Sequence, residues 1–308
     1  MNVDELDGDL WELHCDRSSF EVPNYSSIRT DTAKWKLGPI FSERETYDED
    51  DELFDDFITE VAGVCVATQV EGPTPGVQGI AKIRMQIPND YEIPAPTKPQ
   101  DSSYRTATEV LNLKELTERG STCTPKLLDL GLFEQTRKED PLPGGFMTFI
   151  VMERLPGRNL VNFDLLPMSE RDQVRLAFAK AIREFYAMGC VHDDPDRRNL
   201  MWDPENKKCY IIDLEDVRQL DSDVKRKTFT PELDFHDWAI AGPEVNTHLK
   251  GLDPMVPYGG KYIEDPGDEA LEKMAKDAAG KELLFLTYRD MKHCLPPRKK
   301  GSDNEPAS

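Results

Sequence analysis

Residues 191–200 have the sequence VHDDPDRRNL, and this stretch decides how the rest of the chain is interpreted. His192, Asp194 and Asn199 form the pattern H-x-D-x4-N. A histidine and an aspartate at this spacing are a weak signal by themselves, because Asp194 and Asp196 can be loop acids and Asn199 a helix cap. The pattern therefore has to be judged together with the residues that follow it.

A β-hairpin is predicted directly after this pattern. The apolar residues 200–202 and 209–212 indicate two short strands, and residues 203–206 (DPEN) form a turn signal between them. The hairpin places Asn199 immediately before its first strand and Asp213 immediately after its second strand.

Asp194, Asn199 and Asp213 have the side chains that phosphoryl transfer from ATP requires. One carboxylate takes or orients the proton of the acceptor hydroxyl, an amide oxygen holds a metal ion, and a second carboxylate joins the metal to the phosphates. The three residue types follow one another in the right order for these roles.

With these residues, the chain resembles the protein-kinase-like phosphotransferase superfamily. The loop around Asp194 is more similar to the aminoglycoside- and choline-phosphotransferase branch than to the protein kinases proper, and the layout resembles kinase-like proteins of fungi. The resemblance runs from Phe57 to Trp238. It implies an α+β, bilobal protein-kinase-like fold, with a small β-rich N-lobe and a larger helical C-lobe.

The upstream half of the resemblance consists of a strand and a helix. Residues 79–87 alternate and include β-branched side chains, which predicts a strand, and Lys82 within it resembles the lysine that meets the α- and β-phosphates. Residues 107–120 show helical spacing. The resemblance makes Glu109 the expected helix partner of Lys82. Glu115 is the runner-up and falls on a different face of the helix.

The segment that resembles the hinge is an apolar strand over residues 149–153, followed by a Leu-Pro-Gly turn. The resemblance implies that main-chain groups near Glu153 and Leu155 bind the adenine edge. Residues 70–77 are the candidate for the loop over the phosphates. This loop lacks Gly-x-Gly-x-x-Gly, and its two prolines remove two N–H donors.

Several positions depart from the protein-kinase pattern. Asp193 replaces the arginine that would meet an activation-loop phosphate, which argues against that type of activation. Arg198 is expected to supply positive charge to the transferred phosphoryl group. Residues 213–215 read Asp-Leu-Glu instead of Asp-Phe-Gly. Residues 230–232 and 242–244 both resemble Ala-Pro-Glu, and the sequence does not choose between them.

Composition suggests four segments. We expect residues 1–52 to be an acidic, partly disordered extension and residues 53–153 to be the N-lobe, with an irregular, proline-containing insertion at 88–106. Residues 154–294 are expected to form the C-lobe, and residues 295–308 a disordered tail.

The bulk properties exclude several partners. The 308 residues carry a net charge of −21, so binding of DNA or RNA by bulk electrostatics is not expected. No apolar run is long enough for a membrane span. The six scattered cysteines suggest free thiols in a reducing compartment. We expect a cytoplasmic protein, with the nucleus left open and the oligomeric state unknown.

Two functions are compatible with the sequence. The first is an ATP- and Mg²⁺-dependent phosphotransferase that moves the γ-phosphoryl group to a hydroxyl of a protein Ser/Thr or of a small molecule. The set Lys82, Asp194, Asn199 and Asp213 favours it. The alternative is a catalytically inactive pseudokinase that acts as a binding or scaffold module. The missing glycine-rich loop and the Asp-Leu-Glu sequence favour that alternative.

Overall fold

The computed structural model describes residues 22–23, 25–47, 58–88, 99–138, 140–241 and 265–277. The chain divides into two compact units. The first unit consists of residues 1–155 and a returning segment, residues 212–218. The second unit consists of residues 156–211 and 219–308.

The first unit is built on a sheet of six described strands. Its strands are β1 (Ser27–Arg29), β2 (Lys34–Tyr47), β3 (Thr59–Glu71), β4 (Gln78–Ile87), β5 (Leu127–Glu134) and β6 (Phe146–Glu153). Their order across the sheet is β1-β2-β3-β4-β6-β5, and all neighbours are antiparallel. The prediction of a β-rich N-terminal part is confirmed, and so are the predicted strands at 79–87 and 149–153.

Strand β4 separates an apolar face of the sheet from a polar one. Side chains alternate between the two faces of a strand, so every second residue shares a face. One face of β4 contributes four buried residues to the hydrophobic core: Ala81, Ile83, Met85 and Ile87. The opposite face carries Lys82, Arg84 and Gln86, which are also buried.

Strands β1 and β2 correct the expectation for residues 1–52. That range was expected to be an acidic, partly disordered extension outside the N-lobe, but its strands Ser27–Arg29 and Lys34–Tyr47 belong to the sheet. Trp35 is only 1% exposed and belongs to the hydrophobic core. Its indole nitrogen donates to the buried Asp129 carboxylate at 2.7 Å. The acidic surroundings concealed this strand, because burial of a few apolar side chains outweighs the polarity of their neighbours.

Helix α1 (Tyr104–Glu118) covers the polar face of the sheet. The Ser103 hydroxyl caps its N-terminus by accepting from the Thr106 amide at 3.0 Å. Gly120, just beyond the helix, has a φ of +72°, the left-handed conformation that glycine adopts easily. The predicted helix is confirmed, although it starts at Tyr104, inside the expected insertion 88–106.

The second unit combines helices with a small sheet. Strands β7 (Arg158–Asn159), β9 (Leu200–Asp203) and β10 (Lys208–Ile211) form this sheet in the order β10-β9-β7. Strand β8 (Cys190–His192) is not part of it. Helix α2 (Met168–Ala187) packs against β10. Strands β9 and β10 form an antiparallel pair, which confirms the predicted hairpin, and Asp203 accepts hydrogen bonds within its turn.

The remaining elements follow the hairpin. The returning segment contains a 3₁₀ turn over Leu214–Asp216 and the start of strand β11 (Val217–Gln219). Helices α3 (Pro231–Asp237) and α4 (Asp268–Asp277) belong to the second unit. Residues 230–232 therefore lie at the start of α3.

Some expectations fall on residues outside the described ranges. These are the tail 295–308, the core of the insertion at 89–98, and the alternative Ala-Pro-Glu match at 242–244. Within the described residues, no helix is long and apolar enough to span a membrane. The four described cysteines form no disulfide with one another and are all buried: Cys65, Cys123, Cys190 and Cys209.

Candidate functional site

The side chain of Lys82 lies among three carboxylates of the first unit. Its ammonium is 2.9 Å from Glu109 on α1 and 2.6 Å from Asp213 in the returning segment. It is also 3.0 Å from Glu215 in the 3₁₀ turn. We call Lys82, Arg84, Glu109, Asp213 and Glu215 the Lys82 cluster. The predicted pairing of Lys82 with Glu109 is present in the structure, whereas Glu115 lies on the exposed side of α1 and pairs with Arg119.

The three carboxylates of the cluster could in principle hold a metal ion, since their oxygens all lie within 4.8 Å of one another. The Lys82 ammonium already occupies the space that they share, and an ammonium has three N–H donors for three acceptors. Glu109 and Glu215 have side chains only 2% and 0% exposed, whereas Asp213 is 25% exposed. Asp213 is therefore the carboxylate of this group that a hydrated Mg²⁺ can reach. Its oxygen donors suit that ion.

Arg84 lies behind Lys82 on the same face of β4 and is completely buried. Its Nε and Nη2 donate to one oxygen of Glu109, at 3.0 and 2.7 Å. Its guanidinium also contacts Glu60 of β3 and Glu215. Burial of a charge is tolerated only when it is paired and hydrogen bonded, and Arg84 meets that condition with three carboxylates.

Two further arginines surround Glu215 from outside the cluster. Arg44 of β2 pairs with Glu215, and Arg105 of α1 lies 3.3 Å from it. Arg105 also pairs with Asp216 at 3.1 Å. Glu215 is thus one of the most heavily paired carboxylates among the described residues.

The electrostatic field of the cluster shifts the pKa values of Asp213 and Arg84 so that both favour their charged forms. Burial by itself would raise the pKa of Asp213, but the positive charges of Lys82 and Arg44 outweigh it and hold this pKa well below its usual range. Burial would lower the pKa of Arg84. The charges of Glu109 and Glu60 outweigh that effect and raise the pKa further. Both groups are ionised at every physiological pH.

Asp213 has an unusual backbone conformation, with φ 61° and ψ 66°. This left-handed region is uncommon for residues other than glycine, although aspartate tolerates it better than most. Such conformations cost about 1–3 kcal/mol and persist where the surroundings impose them, often at functional sites. In this conformation the Asp213 carboxylate contacts Lys82.

The second unit contains the other predicted site residues in the loop from His192 to Asn199, which we call the Asp194 loop. The Asp194 amide donates to His192 Nδ1 at 3.2 Å, and the imidazole packs edge-on against Trp238. His192 thus anchors the Asp194 loop. Asn199 is buried, and its Nδ2 donates to the Asp194 carbonyl at 2.9 Å. This bond orients the amide of Asn199, whose Oδ1 is the atom that a metal ion would use.

Arg198 pairs with two acids of the same loop. It lies 2.6 Å from Asp194 and 3.6 Å from Asp196, and both Arg198 and Asp194 are about half exposed, at 49% and 45%. Exposed ion pairs of this kind contribute about 0–1 kcal/mol, so a substrate can displace this one at little cost. The predicted base and the predicted phosphoryl-binding cation are neighbours in the structure.

In the segments that were expected to bind adenine and to cover the phosphates, several main-chain N–H groups already donate within the protein. The Glu153 N–H already donates to the Lys126 carbonyl at 2.8 Å, so it is not available to adenine, and other main-chain groups, such as those of Leu155, would have to serve. In the loop at residues 70–77, the amides of Thr74, Gly76 and Val77 all donate within the hairpin. This loop has few N–H groups left for a phosphate.

Sequence reasoning missed Arg84 and Glu215 as members of the site. A usable signal was present, because Lys82, Arg84 and Gln86 are polar residues at every second position of an otherwise apolar strand. Two cations on one face of a central strand require buried carboxylates nearby. Identifying those carboxylates needed the fold.

No family model matches the chain, and no curated protein matches it. Two solved structures of WbdD are similar, one with the kinase inhibitor LY294002 and one described as a bifunctional kinase-methyltransferase. Their TM-scores are 0.35 and 0.36 at 16% identity, and the match covers 64% of this chain and 36% or 37% of WbdD. The chain thus corresponds to little more than a third of WbdD, and at these values the likeness assigns no function.

Proposed function

We propose that this protein is a protein-kinase-like, ATP-dependent phosphotransferase that moves the γ-phosphoryl group to a hydroxyl. The observation that carries the proposal is the position of Lys82. The fold joins this strand lysine to a helix glutamate 27 residues away and to Asp213, 131 residues away. A strand lysine, a helix carboxylate and a carboxylate that follows a buried strand are the parts that bind the phosphates of ATP and its metal in such enzymes.

The first unit would supply nucleotide binding. Lys82 would contact the phosphates, Glu109 would keep its ammonium in place, and Asp213 would bind Mg²⁺ on its solvent-exposed side. Magnesium, when bound, neutralises charge on the phosphates. Lys82 would exchange its bond to Asp213 for one to a phosphate oxygen. It would keep Glu109, because the buried oxygens of that side chain cannot reach solvent.

The second unit would supply the residues that act on the acceptor. Asp194 would accept or orient the proton of the acceptor hydroxyl, and Asn199 would offer Oδ1 as the second metal ligand. Arg198, released from its weak pairs with Asp194 and Asp196, would stabilise charge on the transferred group. The acceptor is a protein Ser/Thr or a small molecule, and the cytoplasm is the proposed location.

A single experiment tests this proposal. The purified protein is incubated with Mg²⁺ and γ-labelled ATP, and ADP release and autophosphorylation are measured with and without EDTA. We expect turnover that needs Mg²⁺ and is lost in Asp194→Asn. Wild-type protein that binds Mg-ATP but shows no turnover with any hydroxyl acceptor would refute the catalytic proposal.

The second candidate is a pseudokinase that binds a partner without turnover. Two observations favour it: the three donors of Lys82 are already matched by three carboxylates, and the amides of residues 70–77 are used inside the hairpin. This candidate expects no Mg-ATP binding by calorimetry. If wild type binds Mg-ATP and Lys82→Met does not, a pseudokinase that cannot bind nucleotide is therefore excluded.

A further inference from the structure

We propose that Arg84 is the positioning residue of this site, which holds Glu109 and Glu215 around Lys82 and keeps the Lys82 cluster assembled in the nucleotide-free protein. This inference rests on the proposed function for its consequences in nucleotide binding. Its structural content concerns contacts within the first unit alone.

The contacts of Arg84 join three segments that are distant in sequence. The guanidinium reaches Glu60 on β3, Glu109 on α1 and Glu215 in the returning segment. Two of its nitrogens converge on the same oxygen of Glu109. The other oxygen of Glu109 accepts from Lys82. Arg84 therefore fixes one oxygen of the Glu109 carboxylate, and this orients the other oxygen toward Lys82.

Glu60 connects Arg84 to the start of α1 through hydrogen bonds. While one of its oxygens faces Arg84, the other accepts from the hydroxyls of Ser103 and Thr106, at 2.5 and 2.7 Å. Helix α1 is thus tied to the sheet at its N-terminus and again at Glu109. Two attachment points fix both the position and the rotation of a helix.

The returning segment is held in the same way. Glu215 meets Arg84 at full burial, and the Asn112 amide of α1 donates to the carbonyls of Leu214 and Val217 at 2.9 and 2.8 Å. Since Asp213 precedes this turn, its place beside Lys82 depends on the turn. A lysine at position 84 would carry the same charge, but it is a single point charge and could not reproduce a planar fork directed at three carboxylates.

The test compares Arg84→Met and Arg84→Lys with Arg175→Met and Arg175→Lys. Arg175 is also completely buried, pairing with Asp172 at 2.8 Å and donating to the Ile240 carbonyl, but it belongs to the second unit. Amide hydrogen exchange is measured over residues 104–118 and 212–218 in nucleotide-free protein, together with thermal stability and Mg-ATP affinity.

For Arg84→Met we expect amide exchange in both segments to accelerate by at least about tenfold. Local opening then costs less free energy, because it no longer has to break the contacts of the guanidinium. Arg84→Lys should recover part of the thermal stability but not the protection, and it should weaken Mg-ATP binding by about tenfold. The two Arg175 variants should leave both segments protected. If Arg84→Lys restored wild-type protection in both segments, charge alone would suffice and the positioning role would be refuted.

A second variant covers the case in which the Arg84→Met protein does not fold. Glu215→Gln removes the charge that faces Arg84 in the returning segment, and with it the pair between Glu215 and Arg105, but it leaves the fork on Glu109 intact. Exchange should increase over residues 212–218 and stay low in the part of α1 around Glu109. Equal loosening of α1 around Glu109 would overturn the proposal. If wild type binds no Mg-ATP, the proposed function fails, while the exchange data still decide the role of Arg84.

Discussion

Replacement of Asp213 by asparagine separates two roles of this carboxylate: accepting a hydrogen bond from Lys82 and the proposed binding of Mg²⁺. In the structure Asp213 accepts from Lys82 at 2.6 Å and is 25% exposed. A hydrogen bond to a charged group contributes about 1.5–3 kcal/mol, and an asparagine oxygen can still accept from Lys82. We therefore expect Asp213→Asn to lower the free energy of unfolding by only about 1 kcal/mol.

The effect on nucleotide binding should be much larger. Loss of a residue that only supports a metal ligand typically lowers metal affinity 10–100-fold. Loss of a carboxylate that binds the metal directly should lower affinity by at least the larger of these factors. We therefore expect the Kd for Mg-ATP to rise by about 100-fold, which corresponds to about 2.8 kcal/mol of binding free energy. Affinity for ATP without Mg²⁺ should not fall, because the carboxylate repels the phosphates rather than binding them.

The assay is calorimetric titration of ATP with and without Mg²⁺, alongside thermal unfolding. Asp216→Asn is the matched control. Asp216 belongs to the same 3₁₀ turn, its side chain is 29% exposed, and it pairs with Arg105 rather than Lys82. Wild-type Mg-ATP affinity in Asp213→Asn would refute the metal role. An equal loss in Asp216→Asn would show that the turn as a whole, and not the Asp213 carboxylate, is responsible.

The remaining predictions concern other steps. Asp194→Asn should leave Mg-ATP affinity nearly intact while kcat falls by ~10²-fold or more, measured by steady-state turnover. Lys82→Met should weaken Mg-ATP binding or lower turnover in a folded protein, and equal affinity and activity would remove Lys82 from the site. Because Asp193 repels a phosphate rather than pairing with it, phosphatase treatment of residues 214–231 should not abolish turnover. Because the pKa of Asp213 is lower in the folded than in the unfolded protein, its ionised carboxylate stabilises the fold above the unfolded-state pKa. In acid denaturation, wild type should lose this contribution below about pH 4, and Asp213→Asn should lack it at every pH.

Local patterns in the sequence were sufficient for several elements. The hairpin β9–β10, strand β4 and helix α1 follow from apolar periodicity and from turn or cap residues, which act over a few neighbouring positions. The resemblance to a known superfamily then identified Lys82 and Glu109 as partners. The structure places them 2.9 Å apart.

Strand β2 shows why part of the fold could not be predicted. Its pairing with β3 contains irregularities between Leu37 and Ile40 and again between Ile40 and Ser42. Each irregularity shifts which side chains face the core, so the alternation that signals a strand is broken. Backbone hydrogen bonds to β3 hold the strand in place, and these bonds leave no pattern in the sequence.

The sequence by itself determined the order of the chemical groups: Lys82 on a strand, Glu109 on a helix, Asp194 and Asn199 in a loop, and Asp213 after a hairpin. Only the tertiary structure decided how the charges of the first unit are matched. Whether a charged side chain on a strand is solvated or buried depends on carboxylates that arrive from distant parts of the chain. Glu109 lies 25 residues from Arg84, and Glu215 lies 133 residues from Lys82. Arg84 and Glu215 acquire their roles because burial forces ionised groups to find partners, and the fold alone determines which partners are within reach.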